Sequence, residues 1–449
     1  MSEQAFKFTF IDLFAGIGGF HQALEAEGGR CVLAVERDPE CQKVYQELFP
    51  ETDIVGDIRS LTYIDQEADK GRPLSGETDR TGNRSINELV PDHDVLCAGF
   101  PCQPFSKSGH QEGTEDRTRG TLFHDILQII RAKAPSFVLL ENVRNLTGPR
   151  HRDTWSTIIE SLREAGYTVD SDPLILSPHR FSPSLNGAPQ VRDRVFILAY
   201  RNDLESGSGL PKVDPSNGFD PDTWQIAKYL DFNKDIEGLQ NYRLSKEELS
   251  WLEAWQDFIQ GIDSESLPGF PIWVDDFEEE PIIPKDTPAW KENFLKKNSD
   301  LYVTNRKFID KWRKKTWGDT GTIHDFPASR RKFEWQARKA QPSRKDRDLY
   351  KLVLQFRPSG IRVKPPTYLP ALVAITQTSI IGSLKRRITP REAARLQGMD
   401  ADRFAAAIKA AGVSDATAYK QLGNAVNVGM VRLAAQALFA GRSPWVLKE

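Results

Sequence analysis

The first 200 residues alternate short apolar runs with amphipathic stretches, and this rhythm limits the possible fold more than any other feature of the chain. The apolar runs predict strands, and the stretches between them have the apolar spacing of helices. One helix begins at Asp38-Pro39, a cap residue followed by proline. The predicted strands are 6–14, 31–36, 53–55, 94–98, 136–140 and 194–200. Strands joined by helices indicate an α/β fold with a doubly wound, mostly parallel sheet.

This rhythm stops near residue 200. Residues 202–384 are rich in aromatic, charged and proline residues, and helical patterns return only after residue 387. A chain of 449 residues is long enough for two or three domains. We predict a sheet domain at 1–200, an inserted second domain at 201–385 and a C-terminal segment at 386–449.

The net charge of −3 hides a strong segregation of charge along the chain. Residues 231–300 carry 17 acids against 7 bases, whereas residues 306–364 carry 18 bases against 6 acids. A dense basic block is typical of a protein that binds a polyanion such as nucleic acid. The alternative is a solvated surface that the preceding acidic segment neutralises.

Compartment and redox state follow from what the sequence does not contain. Its apolar stretches are far shorter than the roughly 20 residues that cross a bilayer, and its N-terminus lacks the features of a signal peptide. We therefore expect a cytoplasmic protein. The cysteines at 31, 41, 97 and 102 form no CxxC pair, so we expect neither a disulfide framework nor a metal site.

The stretch DLFAGIGGF places Gly16, Gly18 and Gly19 between the first strand and the first helix. Glycine allows a tight turn there and lets a ligand approach the backbone closely. Glu36 ends the second strand, where a carboxylate can bind ribose hydroxyls, and Asp57 follows the third. Because the dinucleotide pattern GxGxxG is absent, an adenosine-containing cofactor without a pyrophosphate fits better. A simple tight turn is the alternative.

A cluster of reactive side chains is predicted at the ends of neighbouring strands. Cys102, in GFPCQPFS, follows the fourth strand, and Glu141 ends the fifth. Arg192 and Arg194 begin the last strand, where alternation would point both to one face. A lone cysteine more often fills a core, but nearby guanidinium groups favour the thiolate and can hold a substrate.

These segments carry a family resemblance. DLFAGIGGF, GFPCQPFS, ENV, QVRDR, RITPREAARLQG and QLGNAV occur in the order typical of bacterial DNA (cytosine-5)-methyltransferases of restriction–modification systems. The resemblance covers residues 6–200 and 386–440. It implies the fold of S-adenosylmethionine-dependent methyltransferases, with 201–385 as the target-recognition domain. The C-terminal segment is then expected to fold back onto the catalytic domain.

The resemblance also implies a role for each motif residue. Cys102 would attack carbon 6 of a cytosine, and Glu141 would protonate or hydrogen-bond ring nitrogen 3. Arg192 and Arg194 would contact the base carbonyl and support the site. For Leu122, a plain core role is an equally good interpretation. The residues expected to bind S-adenosylmethionine are Phe14, Gly16, Gly18, Gly19, Glu36, Asp57, Ile58, Pro101, Leu122, Asn424 and Val426.

Double-stranded DNA is the expected substrate, and its target base must flip out of the duplex. The loop that begins at Gln103 and contains Ser106 would close on the DNA. Candidate DNA-binding residues in the basic block are Arg330, Arg331, Lys332, Arg357 and Arg362. We expect a monomer that pairs functionally with a restriction endonuclease.

Three alternatives are weaker. Methylation of tRNA does not need the large basic insertion, and a nicotinamide-dependent oxidoreductase leaves Cys102 and Glu141 without a role. A catalytically inactive DNA-binding module is disfavoured because the reactive residues are all present.

Overall fold

The computed structural model describes residues 6–62, 85–101, 121–204, 213–214, 218–232, 238–263, 267–372 and 378–441. Two compact units are present: unit 1 is Met1–Pro221 with Ala393–Glu449, and unit 2 is Asp222–Glu392. The predicted domain borders were 200/201 and 385/386. Of the predicted site residues, Cys102, Gln103 and Ser106 lie outside the described residues. No helix in the described part of the chain has both the length and the apolar character to cross a bilayer.

Unit 1 is built on one mixed sheet. Its strands are β1 (Phe8–Leu13), β2 (Gly29–Val35), β3 (Ile54–Val55), β4 (Val95–Gly99), β5 (Phe137–Val143), β6 (Tyr167–Val169), β7 (Leu174–Leu176) and β8 (Arg194–Arg201). They lie in the order β3-β2-β1-β4-β5-β8-β6, and β7 also pairs with β8. The first five strands pair in parallel, and β8 runs antiparallel to its three neighbours. The predicted doubly wound, mostly parallel α/β sheet is confirmed.

The helices are α1 (Gly19–Ala26), α2 (Pro39–Leu48), α3 (Ile86–Leu89), α4 (Leu122–Lys133), α5 (Arg152–Glu164), α6 (Lys246–Gly261), α7 (Ala289–Arg313), α8 (Pro390–Leu396), α9 (Ala401–Ala410), α10 (Asp415–Asn424) and α11 (Val428–Phe439). Helix α2 begins as the sequence predicts, with Pro39 in its first turn. The Asp38 side chain accepts a hydrogen bond from the Glu40 amide at 3.0 Å.

Strand β5 is longer than the sequence predicted. Its apolar run ends at residue 140, but pairing with β8 continues through Glu141 and Asn142 to Val143. The polar residues do not interrupt the strand because the neighbouring strands supply its backbone hydrogen bonds. Glu141 and Asn142 therefore project from a paired strand, and their positions are fixed by the sheet.

The C-terminal helix α11 belongs to the core of unit 1. The Phe439 ring packs edge-on against Phe8, at 5.3 Å between centroids, and against Phe137, at 5.1 Å. At the other end of the helix, a Cβ on Gly429 would lie 2.0 Å from the Asn186 carbonyl oxygen. Helix α11 is thus tightly packed against strands β1 and β5.

Unit 2 contains a second, mostly antiparallel sheet. Its strands are β9 (Ile272–Trp273), β10 (Lys332–Trp335), β11 (Val353–Arg357), β12 (Gly360–Lys364), β13 (Ile380–Ile381) and β14 (Arg386–Arg387), in the order β14-β13-β11-β12-β10-β9. Only β10 and β12 pair in parallel among these described strands. Helix α6 covers one face, where Trp255 stacks on Phe333 at 4.6 Å. The unit therefore has an aromatic core of its own.

A buried ion pair joins the two ends of unit 2. Arg386 donates from Nη1 and Nη2 to the two carboxylate oxygens of Glu392, at 2.8 and 2.6 Å. Glu392 is fully buried and also accepts hydrogen bonds from the amides of Asp231 and Thr389, both at 2.7 Å. One carboxylate thus fixes residues that lie far apart in the chain.

We expect Glu392→Ala to destabilise unit 2 by about 3–5 kcal/mol, because it leaves a buried guanidinium and two amides without their acceptor. Urea unfolding followed by tryptophan fluorescence measures this, since 8 of the 10 tryptophans lie in Asp222–Glu392. The control is Lys296→Ala in the exposed pair with Glu292, which should cost less than about 1 kcal/mol. Equal effects of the two substitutions would show that burial adds nothing to the Glu392 interaction.

Candidate active site

The glycine turn after β1 has one open side. Gly16 and Gly18 have φ of +56° and +79°, in the left-handed region that favours glycine. A Cβ on Gly18 would lie 2.2 Å from the Phe49 ring, and one on Gly19 would lie 2.7 Å from Val426. A Cβ on Gly16 would meet nothing within 4 Å. The turn is therefore closely packed on one side and open at Gly16, at the end of β1 where doubly wound sheets bind ligands.

Two carboxylates lie at the adjacent strand ends. Glu36 accepts a hydrogen bond from the Gly16 amide at 2.8 Å through Oε2 and one from the Asp38 amide at 2.7 Å through Oε1. A carboxylate oxygen can accept more than one hydrogen bond, so Glu36 still has capacity for ligand hydroxyls. Asp57 follows β3, and its Oδ1 accepts a hydrogen bond from the Arg59 amide at 3.0 Å. Both acids are only half-buried.

The other predicted cofactor residues differ in exposure. Ile58 is buried in the apolar core, so its side chain offers no surface to a ligand. Phe14 and Leu122 are half-buried, Val426 is buried, and Pro101 and Asn424 are exposed. Phe14 has φ of +60°, which is rare for a residue with a side chain and marks it as part of the same constrained turn.

The buried Glu141 and the half-buried Arg194 form an ion pair beside the end of β4. The Arg194 Nε lies 2.8 Å from the Glu141 Oε1, and the sheet register sets Glu141 opposite Gly99. A Cβ on Gly99 would lie 3.6 Å from the Glu141 Oε2. Burial raises the pKa of Glu141, and the charges of Arg194 and Arg192 oppose that rise. The result is an acid held close to the segment that leads to Cys102.

Arg192 departs from the expected arrangement. Strand β8 begins only at Arg194, and the Arg192 amide donates instead to the Ser177 Oγ at 3.0 Å. The strand alternation that was expected to align both arginines therefore does not extend to Arg192. The Arg192 side chain is 1% exposed and donates from Nη2 to the carbonyl oxygens of Gly423, at 3.0 Å, and Ala425, at 2.5 Å. Burial lowers its pKa to about 9.

Asn142 is a site residue to which the sequence analysis gave no role. Its Nδ2 donates to the Phe100 carbonyl oxygen at 2.9 Å, and its Oδ1 accepts from the Val143 amide at 2.8 Å. The buried amide thus holds the backbone two residues before Cys102. Its position directly after Glu141 was the available signal, but the partner carbonyl is visible only in the fold.

The three described cysteines are poor nucleophiles. Burial raises the pKa of Cys41 to about 12 and raises the pKa of Cys31 and Cys97 further. A buried thiol rarely forms the reactive thiolate. Exposure rises from the buried Phe100 to the exposed Pro101, so the chain reaches the surface of unit 1 one residue before Cys102. Cys102, which the family resemblance of the motifs implies as the nucleophile, lies outside the described residues.

Asp12, the first residue of the DLFAGIGGF motif, is a second buried acid. It accepts a hydrogen bond from the His21 amide at 3.3 Å through Oδ2, whereas its buried Oδ1 has no hydrogen-bond partner among the described residues. Burial raises the pKa of Asp12 to about 8. Asp12 is therefore largely protonated at neutral pH.

In unit 2, two predicted DNA-binding residues are engaged internally. The Arg330 guanidinium lies between the rings of Trp251 and Phe356, at 5.1 and 4.7 Å. The Arg331 Nε lies 3.3 Å from Asp275. These contacts hold both guanidinium groups against other side chains of unit 2.

Arg362 is arranged differently. It alternates with the buried Ile361 and Val363, so its side chain leaves the core side of the sheet. Its Nε donates to the Glu334 Oε2 at 2.8 Å, while Nη1 and Nη2 have no hydrogen-bond partner among the described residues. Arg357, on the adjacent strand β11, has its pKa lowered by burial and by the charge of Arg362. Lys332 is half-buried, with its Nζ 5.9 Å from the Trp273 ring centroid.

Known proteins resemble the chain over nearly its whole length. Residues 8–440 match the family model of the C-5 cytosine-specific DNA methylases. The type II methyltransferase M.AluI of Cellulosimicrobium cellulans is 38% identical, over 96% of this chain and 92% of that protein. The type II methyltransferase M.HhaI of Haemophilus parahaemolyticus is 39% identical, over 43% of this chain and 50% of that protein. Among solved structures, the Entamoeba histolytica methyltransferase EhMeth matches with a TM-score of 0.46 and 15% identity, over 96% of this chain and 98% of that one.

Asp12→Asn tests the burial of the carboxyl group. Between the pKa of an unfolded aspartate and about 8, the folded protein holds a proton that the unfolded chain has lost. The free energy of unfolding therefore falls as pH rises through this range, by up to about 1.4 kcal/mol per pH unit. Asparagine cannot lose that proton, so the variant should gain stability relative to wild type between pH 5.5 and 8.

Urea unfolding at several pH values measures this difference. The control is Asp53→Asn, whose exposed carboxylate stays in water, and which should follow the pH dependence of the wild type. If Asp12→Asn also follows the wild type, the carboxyl group is not protonated in the folded protein.

Proposed function

Because the chain belongs to the family of C-5 cytosine-specific DNA methylases, it is a DNA (cytosine-5-)-methyltransferase, and we propose that it methylates cytosine at one DNA sequence through a covalent Cys102 adduct. Family membership confirms the resemblance read from the ordered motifs. The observation that carries the proposed chemistry is the ion pair of the buried Glu141 with Arg194, because it lies beside the strand end that leads to Cys102.

The edge formed by β1, β2 and β3 suits the methyl donor, S-adenosylmethionine. The opening at Gly16 leaves space that a side chain would fill, and Glu36 retains acceptors for the ribose hydroxyls. Asp57 adds a second acid, and Phe14 and the exposed Asn424 are further candidate contacts. When bound, the donor supplies the methyl group in electrophilic form.

The residues of this chain would activate the base. Carbon 5 of cytosine is a weak nucleophile, so the Cys102 thiolate first forms a bond to carbon 6. The displaced ring electrons make carbon 5 nucleophilic, and a proton from Glu141 to ring nitrogen 3 neutralises the charge. After carbon 5 is methylated, its proton leaves to water. The returning electrons expel Cys102 as a thiolate, and ring nitrogen 3 gives its proton back to Glu141, which restores the ring.

The environment of Glu141 supports its role as the proton donor. Burial favours the neutral carboxylic acid, which is the form that can donate to ring nitrogen 3. Arg194 limits that rise in pKa and fixes the orientation of the carboxyl group through the 2.8 Å contact. Asn142 would hold the backbone ahead of the nucleophile through the Phe100 carbonyl.

Target recognition would belong to unit 2. The target base must leave the duplex to reach the site, and Gln103 and Ser106 would belong to the loop that closes on the DNA. The match to M.AluI over 96% of the chain includes most of unit 2, which supports a role in reading DNA sequence. Arg362 is the best candidate base reader, since Glu334 orients it while Nη1 and Nη2 stay available for a guanine.

A restriction–modification context follows from the same relative, which is named as a type II methyltransferase. Methylation would protect host DNA from a partner endonuclease that recognises the same sequence. We further propose that the protein acts as a monomer on each strand of its site in turn.

Trapping on fluorinated DNA tests the chemistry. Duplex DNA in which 5-fluorocytosine replaces cytosine should form a stable adduct with the wild type and S-adenosylmethionine, because the fluorine cannot leave as a proton does. Cys102→Ala should form no adduct, whereas Cys41→Ala, which removes a buried thiol, should trap like the wild type. The adduct is measured by denaturing gel electrophoresis and peptide mass spectrometry. Trapping by Cys102→Ala, or by wild type on RNA alone, would falsify the proposal.

Arg362→Ala and Lys332→Ala separate base reading from phosphate binding. Bisulfite sequencing of a methylated plasmid first identifies the target, and fluorescence anisotropy then compares the target duplex with a scrambled one. Arg362→Ala should weaken binding to the target by about 1–3 kcal/mol, with much less effect on the scrambled duplex. Lys332→Ala should weaken both equally and reduce the salt dependence by about one phosphate contact. An equal loss on both duplexes for Arg362→Ala would assign it to the phosphates.

A further inference from the structure

We propose that Arg192 is a positioning residue that clamps the loop carrying Asn424 and thereby sets the affinity for the methyl donor. This role differs from the contact with the base that the sequence motif implied. The inference rests on the proposed function, because it assumes that the edge near Gly16 binds S-adenosylmethionine.

Arg192 is anchored at both its backbone and its side chain. Its amide donates to the Ser177 Oγ at 3.0 Å, and its buried guanidinium reaches the carbonyl oxygens of Gly423 and Ala425 through Nη2. The two hydrogen bonds from Nη2 connect residues that lie more than 230 positions apart in the sequence. They join the segment ahead of β8 directly to the end of α10.

The end of α10 is a favourable place for this cation. The last carbonyls of a helix have no amide partner within the helix, and they carry the negative end of its dipole. Helix α10 ends at Asn424, so Arg192 binds the carbonyl oxygens on either side of that residue. Among residues 421–428, Asn424 alone is exposed. The clamp therefore fixes the backbone on both sides of the one side chain that faces outward.

The clamped loop also contacts the rest of the site. Val426 packs against Gly19, where a Cβ would lie 2.7 Å away, and against Gly99, where it would lie 3.6 Å away. The Glu141 Oε2 lies at the same distance from that Gly99 position. On the far side, the Gln397 Nε2 donates to the Leu422 carbonyl oxygen at 2.6 Å. Displacing Arg192 would thus move the loop relative to the glycine turn, while Gln397 still holds its beginning.

Arg194 provides the matched comparison. It lies two residues further along and its guanidinium is half-buried, but it contacts Glu141 instead of the C-terminal loop. Removing Arg194 should disturb the acid and leave the loop in place. Removing Arg192 should loosen the loop and weaken the donor site.

Isothermal titration with S-adenosylhomocysteine tests the clamp without requiring turnover. Arg192→Met should raise the Kd by about 10- to 100-fold, because it loses both carbonyl contacts. Arg192→Lys should raise it less, since an ammonium group can keep one of them. Asn424→Ala, at an exposed position, should also raise the Kd, and Arg194→Met should stay within about threefold of wild type. In methylation assays, Arg192→Lys should raise the KM for the donor far more than it lowers kcat.

The outcomes distinguish the inference from the proposed function. If the wild type binds no S-adenosylhomocysteine, the proposed function fails. If the wild type binds it and the folded Arg192 variants bind equally well, the clamp is wrong while the proposed function stands. Cooperative thermal unfolding shows which variants are folded. If neither Arg192 variant folds, Arg192 is a general support of unit 1, and the inference is likewise overturned.

Discussion

The approach of Val426 to Gly19 is the constraint on which unit 1 depends. No side chain fits at Gly19 without moving the C-terminal loop, and Gly18 is equally restricted by the Phe49 ring. The two partners of this contact lie about four hundred residues apart in the chain. The glycine turn therefore gains its packed side only after the chain has passed through unit 2 and returned. Contacts of such sequence separation carry a large entropy cost, and the buried interactions of α11 with β1 and β5 offset it.

Burial controls the acid–base chemistry at the carboxyl ends of the strands. Asp12 and Glu141 are both buried carboxyl groups with raised pKa values, but only Glu141 has guanidinium groups beside it. The same burial suppresses the thiolate form of the three described cysteines. An acid works as a proton donor when it is buried, whereas a thiol nucleophile needs relief from burial. Cys102 lies outside the described residues, but Pro101 directly before it is exposed, whereas Phe100 is buried.

Local sequence patterns predicted the parts of the fold that local patterns determine. The sheet of unit 1 follows from apolar runs alternating with helices, and Glu36 and Glu141 could be placed because each directly follows the apolar run of a strand. The contacts of Arg192 could not be predicted, because its partners, the Ser177 Oγ and the carbonyl oxygens of Gly423 and Ala425, lie in other segments of the chain. The role of Asn142 depends on a carbonyl 42 residues away.

Unit 2 was less predictable for a different reason. Its strands have two to five residues, so none shows enough alternation to identify a sheet. Strands β10 and β12 pair in parallel although almost thirty residues separate them. The core that holds them is aromatic, with Trp255 stacked on Phe333, and aromatic residues in the sequence do not distinguish strand from helix in such short segments.

Charge along the sequence gave only a coarse view of the surface of unit 2. The basic block favoured polyanion binding, but net charge does not show which cations are already engaged. Arg331 lies against Asp275 of the acidic segment, as the salt-bridged alternative required, and Arg330 is held between aromatic rings. Arg362 is both oriented by a carboxylate and still able to donate, because Glu334 fixes its Nε without using Nη1 and Nη2. Sequence-specific recognition needs donors whose direction is fixed, since direction is what distinguishes one base edge from another. For this unit, an arginine oriented by one carboxylate is therefore more informative than the total charge around it.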